Sequence, residues 1–291
     1  MEKRKIRDGF ATFLIHSISL ISLVILALIV YDIFSKGYIA FKEVGFTNFI
    51  FGRKYYPTMD PPSFGIFNFI VSSIFVTLGS ILVGLPLGVG SAIFLSEYAN
   101  LKTKEILKPF IEILSSIPSV IFGFIGIVFI GPFIRRFFNI PTGLNLFTAS
   151  FILGIVIIPI ISSLTEDALS TVPSTLKEAS YALGGTKFDT ITRVVIPYTK
   201  GALISALLLG IGRSIGETMI VLMVAGGAMN FPNSIFSPVR PLTSTIAAEM
   251  GETAVGTTHF YVLYGIALVL LFLTLILTLI SNRFIKNLKR E

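Results

Sequence analysis

The 291-residue chain has no cysteine, no tryptophan, only two histidines and little charge, 13% of residues against 53% hydrophobic. Each scarcity removes a class of explanation. Without cysteine there is no disulfide framework and no thiolate metal site. His16 and His259 stand too far apart to offer ligand spacing, so no metal is implied and each reads as a packed or interfacial imidazole. No Ser-His-Asp set is legible, and no Gly-rich nucleotide loop occurs. The chain is therefore not read as an enzyme and needs no cofactor; if ATP drives it, the ATPase is another chain. The shortage of charge is the most informative. A soluble domain carries about 25% charged residues, and a chain of mean hydropathy +0.86 has too little charged surface to solvate a globule of this size. Apolar helices crossing a lipid bilayer resolve the conflict.

What is present fits that reading. A membrane helix needs about 20 mainly apolar residues, and the apolar stretches predict six, near 11–34, 66–96, 108–131, 144–164, 196–226 and 260–282. Gly84, Pro86, Gly88 and Gly90 in the second, and Pro118 and Gly123 in the third, predict kinks packed against protein. The net charge of +7 could point to nucleic acid, but where the cations sit explains it better. With the N-terminus inside, 15 Lys and Arg fall in inner segments and 7 in outer ones, leaving Arg213 in the membrane. That bias places both termini in the cytoplasm of a multi-pass cell-membrane protein and implies no nucleic-acid partner. The first helix follows Lys3-Arg4-Lys5, yet its apolar run is too long for a signal segment and it is read as retained. Residues 35–65 form a polar, Pro-rich outer loop, either a connector or a docking surface. Glu249 and Glu252 read as solvated carboxylates at a helix end in another outer loop.

The longest inner loop, 165–195, predicts a helix–turn–helix. Two alternative starts are legible, Pro173 as a first helical turn or Thr175 with Glu178 as a capping box. Gly184-Gly185 breaks that helix, and Thr186 with Asp189 caps a second one running toward Pro197. Such a protrusion serves either as an ordinary loop or as a rigid end seated in a cytoplasmic partner.

Arg213 and Glu217 lie inside the fifth apolar run, four residues apart and so on one helix face. A charge near the bilayer centre costs about 2.5–3.5 kcal/mol on insertion scales. Arg213 is 13 residues beyond Lys200, roughly 20 Å along a helix, too far to snorkel easily. Either the two neutralise each other structurally, or the planar guanidinium attracts an oxyanion in a translocation path. In the second case Glu217 would hold Arg213 when the path is empty and release the anion when it is filled. Gly210, Gly212 and Gly216 keep the neighbourhood small.

Several motifs carry a resemblance. Glu178, Ala179, Ser180 and Gly184, followed by Val194, Ile196 and Pro197, resemble the coupling-loop signature of ABC-importer permeases, with Ser180 in place of the usual second alanine. The stretch from Gly212 through Gly226, the segment Pro241–Glu252 followed by His259-Phe-Tyr, Phe94–Tyr98 and Ile117–Gly123 resemble the PstC-type permease family of phosphate importers over nearly the whole chain. The resemblance implies an all-α integral membrane protein with the type I, MetI-like permease fold. Its core would be 66–282, after an N-terminal tail, first helix and outer loop (1–65) and before a cytoplasmic tail (283–291). It further implies alternating access for phosphate, a PstA-type sister permease, two ATPase copies and an extracytoplasmic phosphate-binding protein. In that reading Glu178, Ala179, Ser180, Gly184 and Gly185 couple to the ATPase, while Arg213 and Glu217 line the substrate pathway. The rivals are a permease for sulfate, molybdate or phosphonate, and an ATP-independent secondary transporter or channel.

Overall fold

The computed structural model describes residues 2–288, with side chains described for residues 12–280 and Arg283. The tail cations Lys3, Arg4, Lys5, Arg7, Lys286, Lys289 and Arg290 lie outside the described side chains. Among the described residues, six helices are long and apolar enough to cross a membrane: Thr12–Val44, Phe67–Tyr98, Ser119–Phe137, Leu146–Ser170, Lys187–Ile215 and Thr258–Ile280.

The first helix, α1 (Glu2–Val44), continues ten residues past its predicted end and is followed by a short α2 (Phe46–Phe51). A two-stranded hairpin, β1 (Tyr55–Tyr56) against β2 (Ser63–Phe64), completes the segment read as a loop. This segment is neither a plain connector nor a loose one. Ala40, Phe49, Tyr55, Phe64 and Ile66 are buried in one cluster with Phe69, Leu242, Leu263 and Ile266. Burial of these aromatic and aliphatic side chains, at roughly 25 cal/mol per Å², is what folds a polar, Pro-rich stretch onto the helices.

Next, α3 (Phe67–Ile93) runs as α-helix straight through Pro86 and ends in a π turn, Phe94–Tyr98. The predicted third helix, 108–131, is corrected by a break at Ile117-Pro118. A residue before proline is pushed toward extended backbone, and Ile117 has ψ 126°. On one side of the break lies α4 (Leu101–Ser116), capped by Asn100, without a buried residue and outside the spans. On the other, α5 (Ser119–Ile125), a π turn (Gly126–Ile130) and α6 (Gly131–Phe137) form the third span.

The centre of the molecule is α7 (Leu146–Ser170), the most buried span. It packs along α3 through glycines. A Cβ on Gly154 would come 2.7 Å from Val83, and one on Gly88 would come 2.8 Å from Ile161. Without a hydrophobic drive between helices in lipid, close backbone approach of this kind supplies the packing.

After α7 comes the helix–turn–helix that the glycines predict. α8 (Ser174–Ala182) ends with Gly184 at φ +82°, where Gly185 N–H donates to Ser180 O and Gly184 N–H to Tyr181 O, a Schellman stop. Thr186 and Asp189 form the predicted capping box at α9 (Lys187–Thr190). The Thr175–Glu178 box does not form. Pro173 precedes the first helical residue with φ −57°, and its carbonyl accepts from Leu176 N–H with no side-chain cap. A π turn (Ile191–Val195) then leads into α10 (Ile196–Ile215).

The predicted fifth helix also ends early, at Ile215 instead of 226, and restarts as α11 (Met219–Val224). After an irregular return, α12 (Leu242–Glu249) and α13 (Thr258–Leu288) complete the chain.

Candidate functional site in the broken fifth helix

The break between α10 and α11 comes from Glu217. Its Oε1 accepts the backbone N–H groups of Thr218 (3.2 Å), Met219 (3.2 Å) and Ile220 (3.4 Å). These are the orphan donors of a helix start, and the negative charge suits that end of the helix dipole. The same carboxylate holds Arg213 through Oε2. Arg213 sits in the last turn of α10, where a cation is favoured by the exposed carbonyls. The residues are thus paired as their spacing predicts, but across a break, at a helix end and a helix start, not in mid-helix.

The pair is unequal. Glu217 is 3% exposed and Arg213 is 39% exposed. The buried carboxylate is satisfied on both oxygens, while the guanidinium, with five N–H donors, spends one on Glu217 and keeps an open side. A Cβ on Gly212 would meet nothing within 4 Å, so space opens beside Arg213. Gly210 does the opposite work, since a Cβ there would come 3.1 Å from Ile161.

Neighbouring elements hold the break in place. Ser214 Oγ lies 2.8 Å from Ser80 Oγ of α3, both buried. Thr243 of α12 donates to the Glu217 carbonyl at 2.8 Å, and Leu242 N–H donates to Ser73 Oγ of α3 at 2.9 Å. Unwound backbone at membrane depth is tolerated where it is buried in protein or lines a cavity, and these bonds meet that condition. Chemically, the arrangement presents a fixed cation with free, fork-shaped donors next to open space, its countercharge anchored behind it. That suits transient capture of a tetrahedral oxyanion.

The helix–turn–helix at the far end of the bundle is mostly exposed. Glu178, Ala179 and Gly184 are exposed, Ser180 and Gly185 partly covered. Ser180 Oγ lies 2.8 Å from Thr190 Oγ1 and braces the turn from inside. The motif did not single out Leu183, 90% exposed, or Phe188 and Tyr181, also exposed. Together they make an apolar tip on a polar stalk.

At the hairpin end the expectation of a solvated Glu249 is corrected, while His259 is a packed imidazole against Tyr55 and Phe64. Glu249 is only 14% exposed and salt-bridges Arg240 at 2.8 Å. It also accepts from Tyr55 Oη at 2.6 Å and lies 2.8 Å from His259 Nε2. Burial, reinforced by the Glu249 hydrogen bond, pushes the Tyr55 hydroxyl well above the usual phenol range, so it stays a donor. Glu249 is therefore the hub that ties β1 to the start of α13, and His259 is one of its partners. Glu252 is exposed, as read. Nothing local signals the Tyr55 contact, because Tyr55 lies 194 residues from Glu249. His16 remains on the exposed face of α1, bonded to Thr12 O at 2.7 Å. No group of three metal-ligating side chains occurs among the described residues.

Comparison with known proteins agrees with this architecture. Residues 84–291 match the family of binding-protein-dependent transport system inner membrane components. The probable ABC transporter permease protein YqgH of Bacillus subtilis is 38% identical over 232 residues, 80% of this chain and 75% of the relative. The phosphate transport system permease protein PstC of Mesorhizobium japonicum is 32% identical over 283 residues, 91% and 85% of the two chains. A chain of a bacterial ABC transporter importing alginate superposes with TM-score 0.68 at 14% identity, covering 98% of this chain and 99% of the other. A chain of the MetNI methionine ABC transporter gives TM-score 0.56 at 23% identity, over 77% and 94%. The fold is accordingly the type I, MetI-like fold of ABC-importer permeases.

Proposed function

The chain belongs to the family of binding-protein-dependent transport system inner membrane components, and we propose that it forms half of the membrane pathway of an ATP-driven phosphate importer. The observation that carries the substrate is the likeness to a phosphate permease over 91% of this chain. An exposed guanidinium in a broken membrane helix supports it chemically.

In this reading Arg213 attracts the anion as the path opens, and Glu217 holds the guanidinium in place and re-pairs with it on release. The pathway is completed by a PstA-type sister permease. Two ATPase subunits sit beneath the helix–turn–helix at 165–195, where Glu178, Ala179, Ser180, Gly184 and Gly185 shape the docking end and Leu183 and Phe188 supply its apolar contact. A phosphate-binding protein delivers substrate at the opposite, hairpin end. The loop end is cytoplasmic, as are both termini, in keeping with the excess of inner Lys and Arg. The domain division follows: the permease core spans 66–282, with 1–65 adding a peripheral helix and the hairpin cap, and 283–291 a cytoplasmic tail.

The test is uptake of labelled phosphate by proteoliposomes holding this chain with its sister permease, ATPase and binding protein, with sulfate and molybdate as competitors. Uptake should require ATP and resist a large excess of either competitor. ATP-driven uptake of another anion in place of phosphate would overturn the substrate; phosphate uptake without ATP would overturn the coupling.

A further inference from the structure

Two cationic side chains of the helix–turn–helix reach back to one short stretch of the bundle. Lys177 of α8 forms an ion pair with Glu97 at 2.7 Å, and Glu97 is only 8% exposed. Lys187, on the other side of the Gly184-Gly185 turn, stands over the Tyr98 ring at 4.5 Å. Glu97 and Tyr98 belong to the π turn that ends α3, closed by Ala99 N–H donating to Phe94 O at 2.8 Å.

Beside these contacts lies a small apolar cluster. It joins Ala92 of α3, Leu169 of α7, Val172 and Val195, all buried. Val195 closes the second π turn, at the start of α10. Both helices that meet near Arg213, α3 and α10, therefore carry a π turn where they reach the helix–turn–helix. They touch again at the site, where Ser80 of α3 meets Ser214 of α10. A π turn interrupts the i→i−4 ladder and is a common point of functional bending. A buried carboxylate paired to one lysine resists separation, because parting them leaves an uncompensated charge.

We propose that Glu97 and Tyr98 are the positioning residues through which α3 takes up the motion of the helix–turn–helix, gripped by Lys177 and Lys187 on either side of its turn. The π turns at 94–98 and 191–195 let α3 and α10 follow that motion without unfolding. The Ser80–Ser214 contact then carries the displacement to the residue next to Arg213. This rests on the reading that loop 165–195 docks on the ATPase.

The test measures ATP hydrolysis and phosphate uptake together, in proteoliposomes of the full complex, with copurification of the ATPase recorded for each variant. Glu97→Lys and Lys177→Glu should each retain the ATPase and its hydrolysis yet lower phosphate moved per ATP by about 2- to 30-fold, the range of coupling changes seen along such networks. The swap Glu97→Lys with Lys177→Glu should recover most of the loss. If a single reversal does not assemble, the neutral pair Glu97→Gln with Lys177→Gln, which strands no charge, should assemble and show the lowered ratio. An unchanged ratio in the reversals or in the neutral pair overturns the proposal, as does failure of the swap to recover. The docking reading fails separately, if Leu183→Asp with Phe188→Asp leaves ATPase copurification undiminished.

Discussion

Glu249 and Glu217 show how differently two carboxylates of one chain behave once their surroundings are known. Both have an arginine partner, but Arg240 is only 11% exposed while Arg213 stands half open. Removing Glu249 would leave Arg240 buried without a countercharge and Tyr55 without its acceptor. Breaking a pair of that kind costs about 3–5 kcal/mol. Glu249→Ala is therefore expected to lower the unfolding free energy of the assembled complex in detergent by roughly 3 kcal/mol, read from thermal or denaturant unfolding. Glu252→Ala, on the exposed neighbour, should stay within about 0.5 kcal/mol. Equal effects would show that the hub carries no stability. Residue-scale legibility followed cost. Arg213 and Glu217 stood out because a charge in an apolar run needs a reason. Glu249, in a polar stretch, did not, and its partners come from three separate segments of the chain.

At the scale of elements, local signals in the helix–turn–helix held except for the Thr175–Glu178 box, which lies inside α8 because the helix already starts at Ser174. The Gly184 stop and the Thr186–Asp189 cap depend on residues a few positions apart, and both formed as predicted. Pro118 predicts a kink in the third helix and the structure makes it a full break, while hydropathy, which counts apolar residues and not hydrogen bonds, runs the fifth helix past its end. Ile117-Pro118 divides the predicted third helix into α4 and the span that starts at Ser119, and the Glu217 carboxylate, by taking three amides, starts α11 after the fifth span has ended at Ile215. The Lys104 and Lys108 pairs with Glu166 of α7, at 2.5 and 2.7 Å, pin α4 beside α7. The hydrogen bond to Glu166 raises Lys108 above the usual lysine range, and no spacing in the sequence announces that partner. Packing of α3 on α7 gives an element-scale prediction. Gly154→Leu has no room beside Val83 and should destabilise the complex by about 1–3 kcal/mol. Gly201→Ala in α10, where a Cβ meets nothing within 4 Å, should be neutral or stabilising by up to about 1 kcal/mol. The same unfolding measurement compares the two, and an equal response would contradict the packing described.

For the whole molecule, the membrane class was legible from composition alone, since scarcity of charge is a global property. The hairpin cap was not, because its burial depends on contacts among α1, α3, α12 and α13 that only the assembled bundle creates. What unites the parts is one line of contact, from the helix–turn–helix through α3 and α10 to Arg213 at the broken helix. In the proposed pathway Arg213 acts on the anion and is more than a partner for Glu217. The decisive measurement is phosphate uptake by the assembled complex carrying Arg213→Gln together with Glu217→Gln. This double change strands no charge, and the glutamine introduced in place of Glu217 keeps an oxygen for the amides of α11, so a purely structural pair would be dispensable. The double variant should assemble and still hydrolyse ATP but lose phosphate uptake by about 100-fold or more, as expected when a charged hydrogen-bonding group worth roughly 3 kcal/mol is removed from its anion. Uptake within a few-fold of the unaltered complex would contradict that role for Arg213.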